Sequence, residues 1–257
     1  MFGKPKLIDK ASAAWIFDRF GWVIETFSIE KSVQETELVL PTADHFPPSD
    51  EGRELSHHLF RIVQTFCGVE DWKFELQEVT INEPKPVGPG MLLQPLTQAE
   101  LDDPNAESPY IPIEFVASQR AEVMIWSYSH QIAWKLMQSS DWPDEFQADE
   151  AHLIADLITI YLGFGIFSAN CAFESAAFHS ALEFGWSSQQ HGSLPEDSRL
   201  FALAIFMAIA GSSPAIALPH LKARLRKRFN KACRQVACHE EDVRALRALG
   251  RPKLSLV

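Results

Sequence analysis

The sequence predicts an α+β fold, with a small N-terminal mixed or antiparallel sheet and a predominantly helical C-terminal half. Two stretches, 72–81 and 111–116, alternate apolar and polar residues, as half-buried strands do. After about residue 119, apolar residues recur at helical spacing instead. Strands that come early and helices that follow favour a single α+β domain over an alternating strand–helix pattern.

The first third of the chain is predicted to contain two helices and one short strand. Apolar residues at near-helical spacing predict a helix over 10–27. The stretch 37–40 (ELVL) predicts a short strand that a proline ends. Ser49 or Asp50 is suited to cap a second helix, and Gly68 is suited to end it.

Residues 82–112 contain seven prolines and predict an irregular segment, with one short strand at 91–93. This segment is the best candidate for a linker or a surface lid within a single domain that spans 1–257. The remaining chain is predicted to be helical, and its last stretch is a basic amphipathic helix. The expected helices cover 119–139, 149–182 (broken near Asn170), 196–211 and about 219–248.

Composition narrows the class of protein. The chain has 257 residues, 46% of them hydrophobic, and a formal net charge of -11. The negative net charge argues against a nucleic-acid partner, because the phosphate backbone binds positively charged surfaces. Four cysteines without a redox or zinc spacing, and a charged N-terminal segment, predict a cytoplasmic protein. The longest apolar stretches fall short of the roughly 20 residues of a membrane span, so we expect no membrane partner.

The helix predicted over 119–139 contains an incomplete metal-binding motif. In zincins, two histidines four residues apart bind Zn²⁺ and the glutamate of HExxH acts as the general base. Here His130 is followed by Gln131 and Trp134 at the two other positions. A glutamine amide cannot take a proton from water at neutral pH, and an indole N–H is a donor and not a ligand.

The chain resembles an uncharacterised family of bacterial zincin-like proteins, which carry an HELAH helix and, some twenty residues later, a segment close to DLLTxFLGxGIFTAN. Residues 156–170 read DLITIYLGFGIFSAN, and 38–42 and 186–194 are also similar. The resemblance implies a zincin-like, metallopeptidase-like fold with a degenerate HExxH motif. It does not imply the activity, because the base and one ligand are replaced.

A relocated metal site is a second possibility. His152 and Asp156 are four residues apart and share one helix face, so together with His130 they would form a His-His-Asp zinc site. The alternative is that His152 is solvated, Asp156 caps or hydrogen-bonds locally, and His130 lies in the interior. We expect no cofactor on this alternative, which the sequence favours.

A basic run lies on an apolar stripe at helical spacing near the C-terminus. Removing its seven charges from the net charge of -11 leaves -18 for the remainder of the chain. The simplest interpretation is a helix whose basic face lies in solvent or against the acidic body of the protein. The functional interpretation is a docking surface for an acidic partner, RNA or anionic lipid. The run comprises Lys222, Arg224, Arg226, Lys227, Arg228, Lys231 and Arg234.

Three functions follow from these patterns. The first is a catalytically inactive zincin-like protein, a pseudoenzyme that acts by binding or as a structural component. The second is a metal-dependent hydrolase that uses His130, His152 and Asp156. The third is a bacterial interaction protein that neutralises or chaperones a protein partner through a surface such as the basic run. The sequence favours the first and predicts that the chain is not an enzyme.

Overall fold

The computed structural model describes residues 6–27, 36–48, 53–79, 110–115, 119–179, 184–190 and 192–249; for 53–54 and 173–190 it describes the backbone alone. The chain divides into two compact units. We call Met1–Leu40 with Asp156–Val257 the terminal unit and Pro41–Ala155 the middle unit. The helices expected over 10–27, 119–139 and 196–211 are confirmed within one or two residues at each end.

The described part of the middle unit contains two complete helices, the first residues of a third and a two-stranded sheet. Helix α2 (Arg53–Cys67) packs against helix α3 (Ala121–Gln138), and the ring of Phe60 meets the ring of Tyr128 edge-on with 5.4 Å between the ring centroids. Burial raises the pKa of Tyr128 to about 12. The elements are α2 (Arg53–Cys67), β1 (Phe74–Glu78), β2 (Ile111–Phe115) and α3 (Ala121–Gln138).

The expected mixed or antiparallel N-terminal sheet is wrong, because β1 and β2 are parallel. Phe74 lies opposite Ile111, and Glu78 lies opposite Phe115. Parallel strands need a crossover connection of about a dozen residues or more, and the connection 79–110 is long enough to provide one. Strands that follow each other in the sequence therefore do not have to form a hairpin. The described chain is mostly helical, so the zincin-like α+β class is not supported. The strand expected at 91–93 lies outside the described residues.

Helices form most of the terminal unit, and its core consists of aliphatic and aromatic side chains with no exposure or almost none. The rings of Phe20 and Tyr161 meet edge-on with 6.4 Å between their centroids, and those of Phe17 and Phe201 meet edge-on with 5.7 Å between theirs. Helix α4 (Ala151–Thr159) includes residues of both units. The helices are α1 (Lys10–Phe27), α4 (Ala151–Thr159), α5 (Gly165–Cys171), α6 (Glu196–Ala210), α7 (Pro214–Ala217), α8 (Ala223–Val236) and α9 (Glu240–Leu249).

Two segments of the terminal unit differ from the sequence prediction. The stretch 37–40 is not a strand, although the N–H of Val39 donates to the carbonyl of Gly163 at 3.0 Å. Residues 173–179, which were expected to continue the helix over 149–182, instead form β3 (Phe173–His179), which pairs antiparallel with β4 (Phe184–Gln190). Helix propensity alone therefore misassigned a segment whose structure depends on pairing with a strand farther along the chain.

The predicted basic amphipathic helix is divided. Helix α8 ends at Val236 and α9 begins at Glu240, so the basic residues lie at and within the first of two helices. Farther upstream, Ala148–Cys171 has the length and apolar character of a membrane span, but 89% of its most apolar window is buried within the protein. A core helix has the same properties, so this one segment is weak evidence for a membrane span.

Candidate functional site

His130 lies on helix α3 and is half-buried. Its imidazole stacks on the indole of Trp126, with 5.2 Å between ring centroids and 14° between the ring planes. The two residues are four apart, so the helix places both rings on one face. The ring face of His130 is therefore engaged in an aromatic stack within the middle unit.

Gln131 has a structural role at the position where a zincin carries its general base. Its amide oxygen accepts from the N–H of Glu114 at 2.9 Å, and its amide nitrogen donates to the carbonyl of Glu114 at 2.8 Å and to the hydroxyl of Ser127 at 3.1 Å. The side chain thus pairs with both backbone groups of a β2 residue, as a neighbouring strand would. A carboxylate could not supply the bond to the carbonyl.

Trp134 stacks on His152, with ring centroids 4.6 Å apart and planes at 19°. The tryptophan is half-buried and the histidine is exposed. Trp134 therefore contacts one of the proposed metal ligands through its ring face, an interaction that requires no metal. Both residues belong to the middle unit.

Asp156 forms a buried ion pair with Arg199 inside the terminal unit. Both side chains have 0% exposure, and the guanidinium lies 3.1 Å from the carboxylate. The same carboxylate oxygen accepts from the backbone N–H groups of Ser193 and Leu194 at 2.8 and 2.7 Å. This pair fixes the loop that leads into α6.

The remaining nitrogens of Arg199 are also satisfied. They donate to the carbonyls of Leu194 and Ser168 at 2.8 and 2.9 Å. Burial lowers the pKa of Arg199, and the neighbouring Asp156 partly offsets that effect. A Cβ at Gly192, whose φ is +74°, would lie only 2.1 Å from the guanidinium, so the loop closes tightly over the ion pair.

The three residues proposed as metal ligands thus have separate partners. His130 stacks on Trp126, His152 stacks on Trp134, and Asp156 is bonded to Arg199 and two backbone N–H groups. Within the described ranges, no group of three or more His, Cys, Asp or Glu residues is arranged to hold a metal ion. The donor chemistry of Asp156 does not fit zinc, because binding would require breaking a buried ion pair.

The segment that carries the family resemblance, 156–170, is also explained by packing. A Cβ at Gly165 would lie 2.7 Å from the side chain of Leu203, so this glycine allows α5 to approach α6. The side chain of Asn170 donates to the carbonyl of His220 and accepts from the N–H of Lys222, both at 2.9 Å. These residues hold the helices of the terminal unit together.

Three members of the basic run are held by neighbouring residues. Arg224 pairs with Glu196, and Arg228 pairs with Glu196 and with Asp197, whose carboxylate lies 2.6 Å away. Burial lowers the pKa of Arg228, but its bonds to the two acids outweigh that effect and raise it. The ammonium of Lys222 donates to the carbonyl of Asn170 at 2.6 Å. These contacts fix α8 on the N-terminus of α6 and on the end of α5.

The other four cations, Arg226, Lys227, Lys231 and Arg234, form what we call the basic face. At about 100° per residue they span an arc of about 140° on α8. The buried stripe of Leu225, Phe229, Ala232 and Val236 lies on the opposite side of the helix. Within the part of the chain that the structure describes, none of the four forms an ion pair.

Neutral contacts orient two of these four side chains. Arg226 donates to the carbonyls of Leu221 and Pro219 at 2.9 and 3.0 Å, and Arg234 donates to the carbonyl of Asn230 at 3.2 Å. A backbone carbonyl carries no net charge, so these hydrogen bonds leave the positive charge of the basic face available to an acidic partner. Lys227 and Arg234 are exposed, and Lys231 is half-buried.

Sequence reasoning missed Arg199 and the acidic pair Glu196 and Asp197. Arg199 was detectable as the one charged residue in the apolar stretch 199–210, because a charge within a core helix needs a buried partner. The acidic pair was detectable as carboxylates at a helix start, where the helix dipole favours them. Their bonds to the basic run depend on tertiary packing.

No family model, no curated protein and no solved structure matches the chain. The family resemblance of 156–170 therefore stays a prediction, and the geometry of these residues is what bears on function.

Proposed function

We propose that this protein is a non-catalytic binding protein whose basic face engages an acidic segment of a protein partner. The observation that carries this proposal is the set of four cations on α8 that have no ion pair among the described residues. Their neighbours Arg224 and Arg228 are neutralised by Glu196 and Asp197. The basic face is therefore charged, and these ion pairs hold its helix against α6. A helix that is already held in place loses less entropy on binding.

The surroundings of the basic face favour a protein over the other classes of acidic partner. Membrane-binding amphipathic helices insert their apolar side, but the apolar side of α8 is buried in the core of the terminal unit. Nucleic-acid binding gains from a basic protein, whereas this chain carries a net charge of -11. A short acidic peptide contacts only the basic face. The negative charge on the rest of the protein therefore repels it less than it would repel a long nucleic acid.

The middle unit supports the non-catalytic part of the proposal. Gln131 and Trp134 stand at the positions of a general base and a metal ligand, and each is used in a packing or hydrogen-bonding contact. Asp156 is likewise used in a buried ion pair. The hydrolase hypothesis depends on His130, His152 and Asp156, and each of these residues already has a stacking or ion-pair partner within the fold.

The test is the affinity for polyglutamate, a chemically defined acidic chain, at low salt. The face variant replaces all four cations by glutamine (Arg226→Gln, Lys227→Gln, Lys231→Gln, Arg234→Gln). Each exposed charge contact contributes about 0.2–1 kcal/mol, so we expect the affinity to fall about tenfold or more. The protein should stay folded because Arg226, Lys227 and Arg234 are exposed, Lys231 is half-buried, and none of the four forms an ion pair among the described residues.

A matched control removes the same number of positive charges elsewhere. It replaces four exposed cations that have no ion pair among the described residues: Lys6, Lys10, Arg61 and Lys73. The control should retain the affinity of the unmodified protein. Equal losses in both variants would show a net-charge effect and contradict the proposal, as would tighter binding of duplex RNA or anionic vesicles than of polyglutamate.

A further inference from the structure

A cavity of about 420 Å³ lies between helices α6, α8 and α9 in the terminal unit. Its volume is within the range of about 300–1,000 Å³ that is typical of small-molecule sites. No residue of the basic face lines the cavity, so the cavity is a separate site from the surface of the proposed function.

The floor of the cavity is aliphatic. Ala204 and Met207 of α6, Val236 of α8 and Val243 of α9 line it, and all four are buried. No aromatic side chain is among the lining residues that the structure describes. A flat aromatic ligand would therefore find no ring to stack on, whereas a flexible aliphatic chain can fill such a surface.

The rim of the cavity carries a positive excess. Arg244 and Arg247 oppose a single acid, Glu240. Arg247 donates to the carbonyl of Ala208 and so caps the C-terminus of α6. Arg244 is exposed and forms no ion pair within the described ranges. Its guanidinium can therefore donate two parallel hydrogen bonds to the oxygens of a carboxylate.

From the aliphatic floor and this cationic rim we infer that the cavity is a binding site for an aliphatic monocarboxylate. The chain lies on the floor, and the carboxylate pairs with Arg244. A cationic head group is less favoured at the C-terminus of α6, because Arg247 already supplies a positive charge there and the carbonyls of Met207 and Ala208 already accept hydrogen bonds.

Calorimetric titration with straight-chain carboxylates tests the inference. Affinity should rise about fourfold per added methylene from hexanoate upward, and the increase should stop once the chain fills the cavity. Decanoate should bind at least about tenfold more tightly than decanol or decylamine, because charged hydrogen bonds to arginine add to the burial of the chain. Equal affinities for the three head groups would overturn the inference.

Two variants locate the binding site. Arg244→Gln should weaken decanoate binding about tenfold and leave decanol binding unchanged. Ala237→Phe should block the cavity, because Ala237 lines it and is exposed, so a larger side chain can enter without disturbing the core. Ala245→Phe is the matched control, since Ala245 is exposed on α9 outside the lining. Unchanged decanoate binding in Ala237→Phe would overturn the inference.

Cys233 reports on the location of the ligand independently of the calorimetric titration. Its thiol lines the cavity, and burial raises its pKa to about 11. In a Cys238→Ser background, which removes the exposed thiol of α8's end, decanoate should slow the alkylation of Cys233 in proportion to occupancy. Binding without any slowing would place the ligand elsewhere and contradict the inference.

Discussion

Gln131 shows how one side chain can replace a strand at the edge of a sheet. Strand β2 directs the backbone groups of Ile111 and Phe115 toward β1 and those of the alternating residues outward. At this outer edge Pro112 has no N–H, and the amide of Gln131 occupies both groups of Glu114. Pro112 cannot donate to a further strand and Glu114 is already paired, so this edge of β2 disfavours further strand pairing.

Gln131→Glu should destabilise the protein by about 1–3 kcal/mol, because a carboxylate facing the carbonyl of Glu114 leaves a hydrogen bond unmade. The free energy of unfolding, measured by urea denaturation at neutral pH, checks this. The loss should shrink as the pH falls through the pKa of the introduced carboxyl group, since its protonated form can donate.

Gln119→Glu provides the matched control for that substitution. Gln119 is half-buried, and within the described chain it makes no hydrogen bond. It lies just before α3, where the helix dipole favours a negative charge, so the free energy of unfolding should be unchanged or slightly higher. A Gln131→Glu variant as stable as this control would contradict the structural role of the Gln131 amide.

The buried pair of Asp156 and Arg199 shows where sequence reasoning reaches its limit at the residue scale. The sequence identified Asp156 as a residue of interest from its spacing to His152 and from the family resemblance. It could not identify Arg199, 43 positions along the chain, as the partner. Spacing within a helix indicates which residues share a face, but the element that packs on that face is known only from the fold.

At the scale of elements, a π-helical turn, Ile160–Phe164, joins α4 to α5. Gly163 within it has a φ of +97°, and a Cβ there would lie 2.2 Å from the carbonyl oxygen of Glu37. The turn thus brings the backbone of 37–40 against the helix, and Val39 donates to the carbonyl of Gly163. Glycine is required here by both the backbone angle and the space.

Gly163→Ala should lower the free energy of unfolding by about 2–5 kcal/mol, the combined cost of a positive φ and of a contact with backbone that cannot move aside. Gly211→Ala is the control: its φ is +70° but nothing lies within 4 Å of the added Cβ, so the cost should be about 1–2 kcal/mol. Similar costs for the two substitutions would refute the packing role of Gly163.

Elements differ in how well the sequence predicted them. Helices α1, α3 and α6 were predicted closely because their apolar periodicity is strong and clear signals end them, such as Gly211 with a φ of +70°. The parallel pairing of β1 with β2 was not predicted, because strand direction depends on the route of the 79–110 connection. Periodicity identifies an element but not its pairing partner.

At the scale of the whole molecule, charge distribution matters more than net charge. The protein carries -11 overall, yet it presents four cations on one exposed helix face. The sequence predicted the basic run. It did not predict that three of its residues are held by neighbouring side chains and carbonyls while the other four form the basic face. That division comes from Glu196, Asp197 and Asn170, which the fold brings to α8.

The most direct test of this account is lysine acetylation footprinting by mass spectrometry, with and without saturating polyglutamate. Lys227 and Lys231 lie on the basic face, whereas Lys10 and Lys73 are exposed elsewhere and serve as internal controls. If the basic face binds acidic chains, polyglutamate should slow acetylation of Lys227 and Lys231 several-fold and leave Lys10 and Lys73 unaffected. Uniform slowing of all four lysines, or protection of Lys10 and Lys73 alone, would contradict the account.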